Sequence, residues 1–207
     1  SRDGTVRTTD TQTGRIQQII TAHSDPVTSL ALTTDGDILA TGGHNSTIHF
    51  VHLPTTETLG VVENFGGLVW DLAFRPNSRQ LVSASEDGSV WFWDILETAT
   101  PAFNSFVAHD ATVASLAFSS DGSQLLTSGL DNRVHVWAVP YALQDLDQAL
   151  APTVTFNEHL APVLGLAFLN DDETAITASL DGSVRVWDIR EADSLASSTA
   201  YTDQRPF

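Results

Sequence analysis

Apolar and polar residues alternate along this chain in short runs with a period of two, and the runs come in sets. VTSLAL (27–32), VWDLAF (69–74), VASLAF (113–118) and VLGLAF (163–168) each open a set. Alternation over four to eight residues places one set of side chains on each face of an extended strand. In the set that opens at Val113, VASLAF is followed by an SSDG turn, then QLLTSG, then Asp131-Asn132, then RVHVWAV. Asp-Gly and Asp-Asn pairs suit the positive-φ positions of two-residue hairpins. The third run recurs as TIHFV, SVWFW and SVRVW. A fourth strand is expected after each, for example TVTFN at 153–157. One stretch departs from this pattern. Between Pro140 and Pro152, Ala142, Leu143, Leu146, Ala149 and Leu150 have helical spacing, which predicts a short surface helix.

The sets are copies of one another. LVSASEDGSVWFWD around Asp87 and AITASLDGSVRVWD around Asp181 are nearly the same sentence. LLTSGLDNRVHVWA around Asp131 is a third copy, LATGGHNSTIHFVH around Asn45 a weaker one, and SRDGTVRTTD around Asp3 the tail of another. Asp3 to Asn45 and Asn45 to Asp87 are 42 residues each, Asp87 to Asp131 is 44 and Asp131 to Asp181 is 50. A period near 40 means one supersecondary unit stacked on copies of itself. Such arrays bind partners more often than they perform chemistry.

Composition narrows the partners. The formal charge is −17 over 207 residues, and all nine cations are Arg. So acidic a surface repels phosphate backbones and anionic membranes, which argues against nucleic acid as a partner. No apolar run approaches the roughly 20 residues of a membrane helix, so direct membrane insertion is not expected. Cysteine is absent, which removes disulfides and Cys-ligated metals.

Even strand spacing, four strands per unit and a Trp-Asp dipeptide indicate an all-β propeller, and the units resemble the WD40-repeat family. In that family a His before the first strand, a Ser or Thr on the second, the turn Asp and the Trp of the third strand form a hydrogen-bonded tetrad. By resemblance the fourth unit supplies His109, Thr127, Asp131 and Trp137, and the fifth supplies His159, Thr177, Asp181 and Trp187. The third has Ser83, Asp87 and Trp93 but Phe65 in place of His. The second has His23 and Thr41, with Asn45 and Val51 replacing Asp and Trp. Asp87 then needs another donor.

His109, Thr127 and Asp131 also read as a hydroxyl–His–acid catalytic set. The tetrad explains the same residues and why they recur. His44, His49 and His52 raise a metal site, but His49 and His52 differ by an odd number and face opposite sides of a strand. No calcium-loop spacing, phosphate-binding glycine loop or HExxH is present. No cofactor, metal or catalytic residue is therefore expected.

The resemblance implies contacts from one face, at two positions of the first strand and one before the turn Asp. The first-strand slots hold Pro26 and Thr28, Leu68 and Trp70, Thr112 and Ala114, and Pro162 and Leu164. The pre-turn slots hold Arg2, His44, Glu86, Leu130 and Leu180. Leu68, Trp70, Leu130, Leu164 and Leu180 would make an apolar arc on that rim, with Glu86 beside it. The competing reading makes them inter-blade packing, and exposure separates the two. Trp91 sits where other units have Arg7, His49, His135 and Arg185. Exposed, it would be a second contact on the blade flank; otherwise it would cover the neighbouring insertion or fill a gap.

The expected architecture is a partial blade at 1–19 followed by four four-stranded blades at about 20–61, 62–105, 106–157 and 158–207. The resemblance implies a ring of seven or eight blades. The chain begins inside a repeat and contains no Met, so a longer chain or a partner is expected to supply the rest. The expected function is a non-catalytic scaffold for protein partners. A regulatory propeller attached to an effector domain is the alternative, and a propeller hydrolase is the weakest reading.

Overall fold

The computed structural model describes residues 1–63, 66–95, 102–146, 150–170 and 172–190. Seventeen strands form five antiparallel sheets among these residues. The first sheet pairs β1 (Thr5–Thr9) with β2 (Ile16–Thr21). The second is β3 (Val27–Leu32), β4 (Ile38–Gly43), β5 (Thr47–His52) and β6 (Glu57–Glu63). The third is β7 (Val69–Phe74), β8 (Gln80–Ser85), β9 (Ser89–Asp94) and β10 (Ala102–Val107). The fourth is β11 (Val113–Phe118), β12 (Gln124–Gly129), β13 (Val134–Ala138) and β14 (Val154–Phe156). The fifth is β15 (Val163–Phe168), β16 (Thr174–Ser179) and β17 (Val184–Asp188). Each sheet is a meander in chain order, and β3, β7, β11 and β15 lie side by side as the inner strands. A fourth strand for the last sheet, expected in 191–207, lies outside the described residues.

The core is the set of interfaces between successive sheets. Val82, Val90, Phe92 and Phe106 of the third sheet pack against Leu116, Leu125 and Trp137 of the fourth. Leu126, Val134 and Val136 of the fourth pack against Val163, Ala175 and Trp187 of the fifth. Ala40, Ile48 and Phe50 of the second pack against Leu72, Leu81 and Trp93 of the third. Each Trp of the repeat thus fills the seam with the sheet before it. Val51 fills that slot where the second sheet meets the two-stranded first sheet, against Val6 and Ile20. Hydrogen bonds add to the apolar seams. The Asp71 carboxylate on β7 accepts from Ser29 Oγ on β3 (3.0 Å) and from Ser115 Oγ and Leu116 N on β11 (3.0 and 2.9 Å).

Among the described residues, the helix expected between Pro140 and Pro152 reduces to a single 3-10 turn, Leu143–Asp145. So few residues between two prolines cannot meet the cost of helix nucleation. Burial decides the conformation instead: Leu146 sits in the seam between the third and fourth sheets, and Leu150 packs against it. Of the predicted helical residues, Ala149 lies outside the described residues. The entry to this segment is clamped by Arg75, which is fully buried. Its guanidinium donates to the carbonyls of Gly122 (2.7 Å), Val139 (2.8 Å) and Pro140 (2.7 Å) and to Gln80 Oε1 (2.8 Å). It lies 3.8 Å from the centre of the Tyr141 ring.

Candidate partner-binding face

The polar residues of the repeat meet at one end of each sheet. In the fourth, Trp137 Nε1 donates to Thr127 Oγ1 (2.9 Å). Thr127 Oγ1 lies 2.8 Å from His109 Nε2, and His109 Nδ1 lies 2.9 Å from Asp131 Oδ1. With a neutral imidazole protonated on Nδ1, the proton donors run in one direction, Trp to Thr to His to Asp. The fifth sheet repeats the chain through Trp187 and Thr177 (2.8 Å), His159 (2.8 Å) and Asp181 (2.9 Å). In the third, Trp93 Nε1 reaches Ser83 Oγ (3.0 Å); Phe65 lies outside the described residues. Asp87 finds its donors locally in the Ser89 amide (2.9 Å) and hydroxyl (2.5 Å). In the second, His23 lies 2.8 Å from Thr41 Oγ1 and 3.3 Å from Asn45 Oδ1, a longer contact to a neutral acceptor.

Burial pushes the Asp131 carboxyl up, but hydrogen bonds and charge from His109, with the amides of Arg133 and Asp110, outweigh it and leave it at about 2. Burial acts likewise on Asp181, and hydrogen bonds from Ser183, Leu160 and His159 hold it well below the usual carboxylate range. His49 and His135 lie against the tetrad histidines, with ring centroids 4.2 Å from His23 and 4.6 Å from His109. Burial, then the neighbouring imidazole, lowers each to about 4.

His109, Asp131 and His135 form the one group of potential metal ligands among the described residues, with ligand atoms within 4.8 Å. Both nitrogens of His109 are already engaged by Thr127 and Asp131, so a metal there would have to break the tetrad. Thr127 and Thr177 are buried and hold a Trp and a His partner each, which leaves no exposed nucleophile in the set. His44, His49 and His52 do not converge: His44 is exposed, the His49 ring lies tilted against His23, and His52 bonds Thr55 Oγ1 (2.7 Å).

The same end of the sheets carries a feature the alternation does not reveal. All four complete inner strands skip one residue in their pairing, at Thr28, Trp70, Ala114 and Leu164. Such a bulge leaves a residue unpaired and re-aims its side chain. Thr28 turns its hydroxyl onto the carbonyls of Val69 (2.6 Å) and Gly42 (3.0 Å). Ala114 is buried. Trp70, 40% exposed, and Leu164 project outward. Leu180, in the turn before Asp181, is 65% exposed, and Leu160 beside it is 84% exposed. Leu160 was not among the expected contacts; it follows His159, which gave no signal of exposure. Leu68 and Leu130 are half-buried, and Glu86 is exposed.

Trp91 lies on β9 of the third sheet. It is half-buried, with its ring 5.9 Å from Trp93 and 5.7 Å from Phe103, and Nε1 donates to Ser89 Oγ (2.8 Å). It belongs to the seam between the second and third sheets.

Radial antiparallel meanders joined by inner strands, with complete Trp–Thr–His–Asp chains in the fourth and fifth sheets, define a β-propeller built of WD repeats. The family model described as WD domain, G-beta repeat matches residues 14–51, 58–94, 102–138 and 150–188, and the chain belongs to that family. It is similar to the small ribosomal subunit protein RACK1y of Oryza sativa subsp. japonica, 28% identical over 144 residues that cover 67% of this chain and 42% of the relative. It is also similar to the target of rapamycin complex subunit LST8 of Saccharomyces cerevisiae, 24% identical over 179 residues, with 67% and 59% covered. A chain in a crystal structure of the mitotic checkpoint complex shares the fold, with a TM-score of 0.77 at 22% identity, covering 91% of this chain and 56% of that one. The chain spans less than two thirds of the length of these relatives. Among the described residues no helix is long and apolar enough to cross a membrane.

Proposed function

We propose that this chain is a non-catalytic scaffold that holds protein partners through the end of the sheets bearing the inner-strand bulges. The observation that carries the reading is the outward projection of the apolar Trp70 and Leu164 from their bulges, where the second sheet has the hydroxyl-bearing Thr28 and the fourth the buried Ala114. A large exposed aromatic with aliphatic neighbours has the composition of an interface anchor. The relatives named as complex subunits support the reading. The buried, fully partnered hydroxyls of the tetrads support a role without bond-making chemistry.

The unit that presents this face is an arc of a ring. Val186 of the last sheet is 37% exposed, whereas Val136, its counterpart one sheet earlier, is 1% exposed beneath the fifth sheet. Further blades, from the same longer chain or from a partner, complete the ring against that face.

Trp70→Ala tests the scaffold reading. Truncation of an exposed anchor is expected to weaken partner capture at least tenfold in a quantitative crosslinking assay while the melting temperature stays close to wild type. A buried Trp would instead lose about 3–5 kcal/mol of stability on truncation. Loss of fold with unchanged capture per folded molecule would refute the reading.

A further inference from the structure

We infer that the occupant of the bulge-bearing face is a peptide segment with an apolar anchor flanked by Arg or Lys. This rests on the reading of that face as the partner-binding one and adds the chemistry of what it takes. The argument begins with placement. Antiparallel pairing puts the start of each inner strand at the same end as the tight turn two strands later. Hydrogen bonds join the two: Glu86 N donates to Leu68 O (3.2 Å), Leu180 N to Pro162 O (2.9 Å) and Leu160 N to Asp181 Oδ2 (3.0 Å). Adjacent sheets are joined there as well, by Thr112 Oγ1 donating to Glu86 O (2.9 Å). Trp70, Leu160, Leu164 and Leu180 therefore share one end of the third to fifth sheets with the carboxylates Glu86, Asp87, Asp110 and Glu158.

The charge at that end is unbalanced. Among the described residues of these three sheets, its arginines are Arg133 and Arg185. Arg133 is paired with Asp110 (2.9 Å) and Arg185 with Glu158 (2.9 Å). Arg75, Arg79 and Arg190 lie at the opposite end, around the hairpins that follow β7 and the end of β17. Glu86 and Asp87 stand side by side in the β8–β9 turn, both exposed, with no ion pair to a described Arg or His. The potential over the apolar arc is negative, on a chain whose net charge is −17. An acidic or phosphate-bearing segment would be repelled from it. A cationic flank would gain Coulomb energy, and its Arg or Lys could also lie over the face of the exposed Trp70 ring.

The test is fluorescence anisotropy with the full chain and six dye-labelled peptide sets. Each peptide carries a single central Leu, Ile or Phe, or Ser as control, within flanks of Arg/Lys, Ser or Glu. The expected result is measurable binding for apolar-anchored basic peptides and at least tenfold weaker binding for Glu-flanked ones. Binding should fall as salt is raised through the range where the screening length drops below about 10 Å. Glu86→Gln should weaken the basic set roughly threefold, as one exposed charge does, and Glu86→Lys more. Melting temperatures of both variants should match wild type. Equal binding of all apolar-anchored sets, lost in Trp70→Ala, would overturn the charge inference and leave the scaffold reading standing. Binding of basic peptides undiminished by Trp70→Ala would overturn both.

Discussion

At the scale of single residues, the chain uses histidine in two opposite ways. His109 and His159 are held between a hydroxyl and a carboxylate, so their polarity is matched. His49 and His135 lie against a second imidazole and are kept neutral to about 4 by burial and by that neighbour. His135 faces His109, Asp131, Arg133 and Asp110, and donates to or accepts from Thr155 Oγ1 at 2.8 Å. The sign of the pH effect follows. Between pH 6.5 and 4 the unfolded chain binds protons at these two positions and the folded chain does not. Stability therefore falls as the pH drops through that window, and these groups add no further loss below it. Asp131, held near 2, adds a second loss below the ordinary carboxylate range. Melting temperatures between pH 7 and 4.5 should decline in the wild type and decline less in His49→Phe/His135→Phe. Equal slopes in the two proteins would show that these paired imidazoles are not the groups that titrate.

At the scale of elements, Arg75 does what no strand pattern announces. It follows β7 at the position that holds Thr33, Ser119 and Leu169 in the other repeats, and ties the third sheet to the turn at Gly122 and to the segment after Val139. Arg75→Met would keep the stem and strand three carbonyls and Gln80 in a buried site, a loss of about 3 kcal/mol in urea unfolding. Lys, a point donor, should recover only part of it; full recovery by Lys would show that charge alone matters there. The sheets themselves were legible because alternation, Asp-Gly turns and the Trp of the third strand agree at every repeat. The tetrad was legible by resemblance. Three things were not. The 140–152 segment has helical spacing, but Leu146 is drawn into a seam that only tertiary structure creates. The bulges escape a reading by strict alternation, because Val69 and Leu72, like Val113 and Leu116, share one core at an odd spacing that only the pairing register reveals. Trp91 sits in a slot that is polar in the other repeats, yet it is half-buried, with Trp93 two residues along its own strand and Phe103 on the paired β10.

At the scale of the whole molecule, two tendencies oppose each other. The end faces of the arc are apolar: Val184 and Val186 stand open on the last sheet, and Leu30 and Leu32 on the second, where the first sheet contributes two strands only. Val134 and Val136, the counterparts of Val184 and Val186, and Leu72 and Leu116, those of Leu30, are all buried. Uncovered faces of a repeat array drive association unless capped. The net charge of −17 pushes copies apart. Salt screens the repulsion and leaves the apolar attraction intact, so the chain by itself should associate more strongly as ionic strength rises. This is opposite to the peptide binding argued above, which salt weakens. Native mass spectrometry and light scattering across a salt series should show species above the monomer mass. Val186→Arg combined with Leu30→Arg should return the monomer without loss of fold, because both sites are exposed. Val136→Arg should instead unfold the protein, since the same side chain one sheet earlier lies in a sealed seam. A wild-type chain that stays monomeric at high concentration and high salt would mean that its end faces need no further blades.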